Sequence, residues 1–290
     1  MNIFAENIYN LIGNTPLIEI KSPNKNVKIF IKLEKLNPSG SFKDRIIKEI
    51  ITNGERNGIL TKDKTLIEST SGNTGISIAM IGGLLGYKVK IIMPRSMSVE
   101  RRKIMEAYGA DLELVDGNLD DALLRAKQLS KDGNYFWINQ YSNGYNVSAH
   151  YKTTGPEIWR QTQGKVTHFI AGMGTGGTIM GVGGYLKKKN DKVKIIGVKP
   201  YTEIQGLKNL EKTKRPDILD LEKIDEIMSV KTDQSFLYAR KMARQGLLVG
   251  MSSGATIYAA FEKARKIKRG VIVAFAADGG ERYLSTKIFN

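Results

Sequence analysis

The chain has 290 residues, 41% of them hydrophobic, which suits two domains with a substantial core and excludes a disordered or collagen-like polymer. It has no cysteine, so disulfides, thiolate nucleophiles, zinc fingers and iron–sulfur clusters drop out, and two isolated histidines, His150 and His168, read as structural residues rather than a hydrolytic triad. The net charge of +16 raises nucleic acid as a partner, but Lys and Arg are interleaved with Asp and Glu, so a solvated basic surface is the expectation.

In chain order, residues 27–33 place apolar side chains at every second position, the period of a half-buried strand. The polar turn Asn37-Pro38-Ser39-Gly40-Ser41-Phe42-Lys43-Asp44-Arg45 then passes into a helical run over 46–50. Residues 65–67 read as strand, 76–85 as a helix stopped by Gly86, and 88–93 as a strand closed by Pro94. Ser98 is the expected N-cap of a helix ending at Gly109. Strand 112–115, helix 119–129 and strand 136–138 complete a first series.

A second series follows: strand 166–170, helix 178–186, strands 194–198 and 226–230, helices 234–245 and 256–267, and strand 271–275. Such alternation predicts an α/β fold of two doubly wound domains with largely parallel sheets covered by helices on both faces. The expected division is a smaller domain over residues 35–145 and a larger one over 1–34 plus 146–290, with the site in the cleft between them. No apolar run approaches the roughly 18 residues needed to span a bilayer, and the N-terminus lacks the basic-then-apolar order of a secretory signal. A cytoplasmic protein with no membrane partner is expected.

Three turns carry candidate chemistry. Residues 171–177, Ala-Gly-Met-Gly-Thr-Gly-Gly, lie between a predicted strand and a predicted helix, which aims backbone N–H groups at one point and suits a phosphate. Gly174, Gly176 and Gly177 permit close backbone approach, and Thr175 and Thr178 add hydroxyls. Gly172, Gly174 and Gly177 also satisfy the dinucleotide pattern G-x-G-x-x-G, but the following strand ends in Lys199-Pro200 where an acidic residue would hold a ribose.

The second turn, Thr70-Ser71-Gly72-Asn73-Thr74, offers backbone donors to a carboxylate and Asn73 to an oxygen on a bound ring. The third holds Asp278, just past the last predicted strand, either a turn former or a partner for a pyridine nitrogen. Each has a plainer reading as an ordinary turn. Together with the Lys43 amine, they supply what a pyridoxal phosphate enzyme needs: a phosphate cradle, an amine for the aldehyde and donors for a substrate carboxylate.

The chain resembles the cysteine synthases of the tryptophan synthase β-like, fold type II, pyridoxal phosphate enzymes along nearly its whole length. The matching segments are Ile12-Gly13-Asn14-Thr15-Pro16-Leu17, residues 37–45, 70–75 and 174–178, Gly250-Met251-Ser252-Ser253-Gly254-Ala255 and Gly280-Glu281-Arg282-Tyr283-Leu284-Ser285. Met93-Pro94, residues 97–102 and 150–158 are most similar to the B-type branch, the O-acetylserine sulfhydrylases B. Related dehydratases and racemases have His after Ser-Gly-Asn and a run of glycines at the phosphate loop, so Thr74, Thr175 and Thr178 disfavour them.

The resemblance implies a β-replacement that makes L-cysteine from O-acetyl-L-serine or O-phospho-L-serine with sulfide or thiosulfate. It implies that Lys43 carries the cofactor through its amine, is released by the amino-acid substrate, and then removes the Cα proton. Asn73 would meet the ring hydroxyl oxygen, residues 174–178 the phosphate, and Thr70, Ser71, Thr74 and Gln140 the substrate carboxylate, with closure of the smaller domain. Asp278 departs from the Ser that many relatives carry and would favour a protonated ring nitrogen, as in some B-type members. Lys208, within Tyr201-Thr202-Glu203-Ile204-Gln205-Gly206-Leu207-Lys208, falls near the cation that meets the phosphate in O-phosphoserine-using relatives. The family is usually homodimeric. A cystathionine β-synthase-like or serine dehydratase-like enzyme is the nearer alternative, and a basic nucleic-acid-binding protein on a retired scaffold the remote one.

Overall fold

The structure is a computed structural model, and it describes residues 5–70 and 72–289. The chain enters through β1 (Leu17–Ile20) and β2 (Val27–Leu33), then α1 (Lys43–Arg56), β3 (Thr65–Ser69), α2 (Asn73–Leu84), β4 (Lys88–Pro94) and α3 (Val99–Ala107). It continues through β5 (Asp111–Val115), α4 (Leu119–Leu129), β6 (Tyr135–Trp137), α5 (Tyr145–Ala149), a π-helical turn (His150–Thr154) and α6 (Gly155–Gln161). The last stretch is β7 (His168–Gly172), α7 (Gly177–Lys189), β8 (Lys194–Pro200), β9 (Glu226–Val230), α8 (Thr232–Ala243), α9 (Met251–Lys266) and β10 (Gly270–Ala276).

Two sheets result, in the mixed α/β arrangement that the alternation predicts. One is four-stranded and parallel, in the order β5-β4-β3-β6. The other is six-stranded, in the order β1-β2-β10-β7-β8-β9, and parallel except where β1 pairs with β2. In the smaller sheet the chain lays down β3, β4 and β5 outward, then returns to place β6 on the other side of β3. In the larger sheet β7, β8 and β9 run outward and β10 returns to the other side of β7. Each reversal leaves a crevice beyond the strand ends, where α/β proteins bind ligands. The loops after β3 and β6 carry Thr70 and Gln140; those after β7 and β10 carry Gly174 and Asp278.

Alternation along the strands decides the packing. In the larger sheet Ile29, Ile31, Ile170, Ile196, Ile272 and Ala274 face α8 and α9. Phe30, Phe169, Ile195, Val273 and Phe275 face α7 on the other side. In the smaller sheet Leu66, Val89 and Ile91 meet α1 and α2, while Ile67 and Ile92 meet Ala122 and Ala126 of α4. Helix α4 spans the expected residues 119–129, and its start is fixed by a capping box in which Asn118 accepts from Asp120 and Asp121 and Asp121 accepts from the Asn118 N–H.

Four elements differ from expectation. Helix α9 begins at Met251, five residues before the expected 256, because Ser252-Ser253-Gly254 packs rather than turns. A Cβ on Gly254 would lie 2.2 Å from the Ser235 carbonyl oxygen, so the glycine lets α9 close on α8. Helices α5 and α6, with the π-helical turn between them, fill residues 145–161, where no element is expected from the sequence. Pro156 lies where the π-helical turn passes into α6, in a backbone that stays helical through Thr154 and Gly155. Strand β1, short and at the sheet edge, has too few residues for a periodic signal.

A buried ionic cluster ties α1 to the larger sheet. The Arg45 guanidinium donates to both oxygens of Glu34 (2.7 and 2.9 Å) and both of Glu157 (2.7 and 2.8 Å). Lys32 donates to Glu157 at 2.6 Å and to the Thr15 carbonyl at 2.5 Å. Burial by itself would raise the Glu34 carboxyl, but the charge and hydrogen bonds of Arg45, with Lys32 and Thr15, hold it down at about 2. A depressed carboxylate contributes stability above its unfolded value and loses it on the way down to the folded one. The urea midpoint should therefore fall as pH drops from 4.5 towards 2, and the Arg45→Met variant, which strands two buried carboxylates, should lose about 3–5 kcal/mol at neutral pH. A Glu34→Gln variant with an unaltered acid profile would remove Glu34 from this account.

Candidate active site

Lys43 is the first residue of α1, and the turn before it is fastened to the end of β10. The Phe42 N–H donates to the Ala277 carbonyl at 3.0 Å, and Ser41 bridges Asp278. The Phe42 ring packs edge-on against Phe275, at 5.4 Å between centroids, and beside His150. Asp44 accepts from the Ser39 N–H at 2.7 Å and from the Ser77 hydroxyl at 2.6 Å, tying the same turn to α2. The direction in which Lys43 leaves the backbone is thus set from both sheets.

The Lys43 amine donates to Gln140 Oε1 at 2.8 Å, and the Thr74 hydroxyl donates to the same oxygen at 2.8 Å. Gln140 is reached through Asn139, which takes the left-handed φ of 50° that asparagine tolerates. Beneath it, fully buried Glu68 accepts the N–H groups of Gln140 (3.1 Å) and Ser69 (2.8 Å). Burial pushes the Lys43 amine down to about 8, with the nearby Glu68 opposing the shift. Burial likewise raises Glu68 to about 7, against hydrogen bonds from Gln140, Ser69 and Trp137 and the charge of Lys43. A lysine in this setting is a usable base near neutral pH.

Asn73 opens α2 and donates from Nδ2 to Asp278 Oδ2 at 2.7 Å. The same oxygen accepts from Tyr283 at 2.6 Å, and Ser253 Oγ lies 3.5 Å from the other. Asp278 is buried, and a Cβ on Gly250 would come within 2.2 Å of its Oδ1, so glycine is required beside it. Thr70 is buried and its hydroxyl accepts from the Gly72 N–H at 3.1 Å, shaping the turn before α2. Ser71 lies outside the described residues.

At the other crevice, Gly176 takes a left-handed φ of 93° ahead of α7. Met180 N–H bonds to the Gly176 carbonyl at 3.0 Å; for residues 174–178 no N–H donation appears among the described residues, as an anion cradle requires. Thr175 Oγ1 accepts from Asn146 at 3.0 Å, which leaves its own proton to point elsewhere. Thr178 instead pairs with buried His150 (3.1 Å), whose other ring nitrogen meets Thr154. Burial holds His150 down at about 3, so it is a neutral structural residue. The Lys208 amine lies 4.6 Å from the Tyr141 ring centroid, while its N–H donates to the Met173 carbonyl at 2.8 Å, laying the 201–210 segment over the glycine turn.

Sequence reasoning singled out Lys43, Asn73, Thr74, Gln140 and Asp278, and the fold brings them into two hydrogen-bonded groups joined through the 39–43 turn. It gave no site role to Asn146 or Glu68, nor to Arg282, which it noted only within the segment Gly280–Ser285. Asn146 donates to the Gln140 carbonyl (2.8 Å) as well as to Thr175, so it links the Lys43 side of the cleft to the glycine turn. Its only local signal is an asparagine in a segment without periodicity. A Cβ on Gly177 would stand 1.8 Å from Asn146 Oδ1. Gly177→Ala should therefore displace Asn146 and cost about 1–3 kcal/mol in urea unfolding. Gly133→Ala, with nothing within 4 Å of the added Cβ, should cost far less; equal losses would overturn this packing argument.

The family described as pyridoxal-phosphate dependent enzyme matches this chain over residues 8–278. The chain is 42% identical to cysteine synthase of Aquifex aeolicus, across 98% of this chain and 92% of that protein. It is 39% identical to cysteine synthase B of Pseudomonas aeruginosa, across 100% of this chain and 99% of the relative. The crystal structure of cysteine synthase from Entamoeba histolytica shares the fold with a TM-score of 0.94 and 37% identity, across 99% of this chain and 91% of that one. Sequence likeness along nearly the whole chain, on a shared two-sheet frame with a lysine at the cleft, establishes that this chain belongs to the pyridoxal-phosphate dependent enzyme family.

Proposed function

We propose that this chain makes L-cysteine by β-replacement, exchanging the β-substituent of O-acetyl-L-serine or O-phospho-L-serine for sulfur from sulfide or thiosulfate. The observation that carries the reading is the convergence of the Lys43 amine and the Thr74 hydroxyl on Gln140 Oε1, in a cleft whose relatives are cysteine synthases. The residues present fit pyridoxal phosphate. The N–H groups at residues 174–178 suit its phosphate, the half-buried Lys43 amine its aldehyde, and the Asn73–Asp278 pair the edge bearing the ring hydroxyl and nitrogen.

Bound there, the cofactor supplies a sink for the electron pair left when Cα loses its proton. Lys43 takes that proton; its depressed basicity keeps a useful share of the amine neutral near pH 8. Asp278, a carboxylate with two donors on one oxygen, favours a protonated ring nitrogen opposite it. Thr70, Ser71, Thr74 and Gln140 hold the substrate carboxylate, with Thr74 in the first turn of α2, where the helix N-terminus favours negative charge. The smaller sheet and its helices close over the substrate and exclude water. Lys208 meets the phosphate of O-phospho-L-serine, a role supported by its place over the glycine turn.

We further infer a homodimer, supported by exposed apolar side chains at Leu11 and Leu36, in the cytoplasm. Among the described residues no helix is long and apolar enough to cross a membrane.

The direct test is the visible spectrum of the cofactor-loaded protein with each serine ester, followed by sulfide. A band that shifts with the ester and reverts with sulfide as cysteine appears is expected; an unresponsive band without cysteine overturns the reading. Lys208→Ala should raise KM for O-phospho-L-serine about tenfold and leave O-acetyl-L-serine within about twofold. Equal changes for both esters would refute its contact with the phosphate.

A further inference from the structure

We propose that Arg282 is a positioning residue that fixes which end of the Asn73 side-chain amide faces Asp278. The inference rests on the functional reading only in taking Asn73 as a contact of the bound cofactor.

An amide side chain has a donor end and an acceptor end of nearly the same shape, so its partners decide its orientation. Asn73 has opposite partners at its two ends. Arg282 Nη1 donates to Oδ1, and Nδ2 donates to Asp278 Oδ2 at 2.7 Å. A guanidinium has no acceptor and an ionised carboxylate has no donor. Flipping the amide would set NH2 against Arg282 and a carbonyl against Asp278, replacing two charge-assisted bonds by two repulsions.

Arg282 is itself fixed. Its Nη2 donates to the Ser39 carbonyl, in the turn that leads to Lys43. Gly40 leaves room for it: a Cβ there would lie 3.0 Å from Nη2, and its φ of 82° is a glycine conformation. The short 3-10 turn Glu281–Tyr283 places Arg282 next to Tyr283, whose hydroxyl donates to the same Asp278 oxygen as Asn73. One turn therefore holds Asn73 from behind through Arg282 and Asp278 from the side through Tyr283. The amide NH2 has a second proton beyond the one given to Asp278, and the turn bearing Lys43 is tied to the same guanidinium. Arg282 acts through Asn73 and touches no substrate.

The test is a double-mutant cycle on the full chain with Arg282→Met and Asn73→Ala, read as the dissociation constant of pyridoxal phosphate and the pH titration of its visible band. Arg282→Met alone is expected to weaken cofactor binding about tenfold and move the titration, while in the Asn73→Ala background it changes either by no more than about twofold. Arg282→Lys, which keeps a donor for Oδ1 but loses the fork to Ser39, should recover part of the loss. Equal effects of Arg282→Met in both backgrounds would overturn the proposal, because Arg282 would then act independently of Asn73. Should Arg282→Met fail to fold, Arg282→Gln takes its place in the cycle. If the unsubstituted protein binds no pyridoxal phosphate, the functional reading fails separately. The cycle is then read from urea midpoints of the cofactor-free protein, where coupling supports the proposal and additivity overturns it.

Discussion

The site depends on one backbone junction, the hydrogen bond from the Phe42 N–H to the Ala277 carbonyl with the neighbouring bridge between Ser41 and Asp278. Strand β10 ends at this junction, and α1 begins there. A lysine on a free turn has too many rotamers to serve as a base at a fixed atom. The Lys43 backbone is held, because the residues before it are bound to the larger sheet and Asp44 after it is bound to Ser77 of α2. The two crevices, one from each sheet, meet at this turn, and the groups brought there are the loop ends that parallel sheets leave open.

Burial then sets the chemistry of those groups. The interior around Lys43 disfavours its charged form, and Glu68 beneath Gln140 experiences the same penalty with the opposite sign. Neither is fully neutralised by the other, because Gln140 lies between them and takes its N–H to Glu68 and its side chain to Lys43. Two residues along α1, Arg45 meets the opposite condition. Its fork is met by the carboxylates of Glu34 and Glu157 and by the hydroxyls of Thr15 and Thr153, and the cluster holds its charges within the protein. One helix turn therefore carries an amine kept reactive and a guanidinium kept inert, separated by which partners the larger sheet supplies.

Small residues do the remaining work by what they leave out. Gly177 yields its side-chain space to Asn146, Gly250 to Asp278 and Gly40 to Arg282. Each absent Cβ corresponds to a polar side chain that would otherwise lose its place. Hydrogen bonds from Lys43 and Asn146 to Gln140, and from Asn146 to Thr175, thus link the Lys43 side of the cleft to the glycine turn.

The sequence by itself determined the alternation of elements, the parallel character of the sheets and the turns that bear the chemistry, because period-2 strands, glycine punctuation and helix caps are local signals. Lys43, Asn73 and the 174–178 turn stand out as candidates for the same reason: each lies between a polar turn and a helix, where residue type and neighbours carry the signal. Helix α9 begins earlier than expected, and α5 and α6 match no expected element, because the close packing on α8 and the π-helical turn appear only in the fold. Thr178 illustrates the limit within a motif: its hydroxyl pairs with His150, 28 positions earlier in the chain. Asn146 and Glu68 lie still further outside local signals, and Arg282, though inside a family segment, carries no local sign of its partner. Their importance comes from which atoms they meet across long sequence separations, 209 residues for Arg282 and Asn73. Only the tertiary structure decides that, since hydrogen-bond partners are chosen by distance in space and leave no period in the chain.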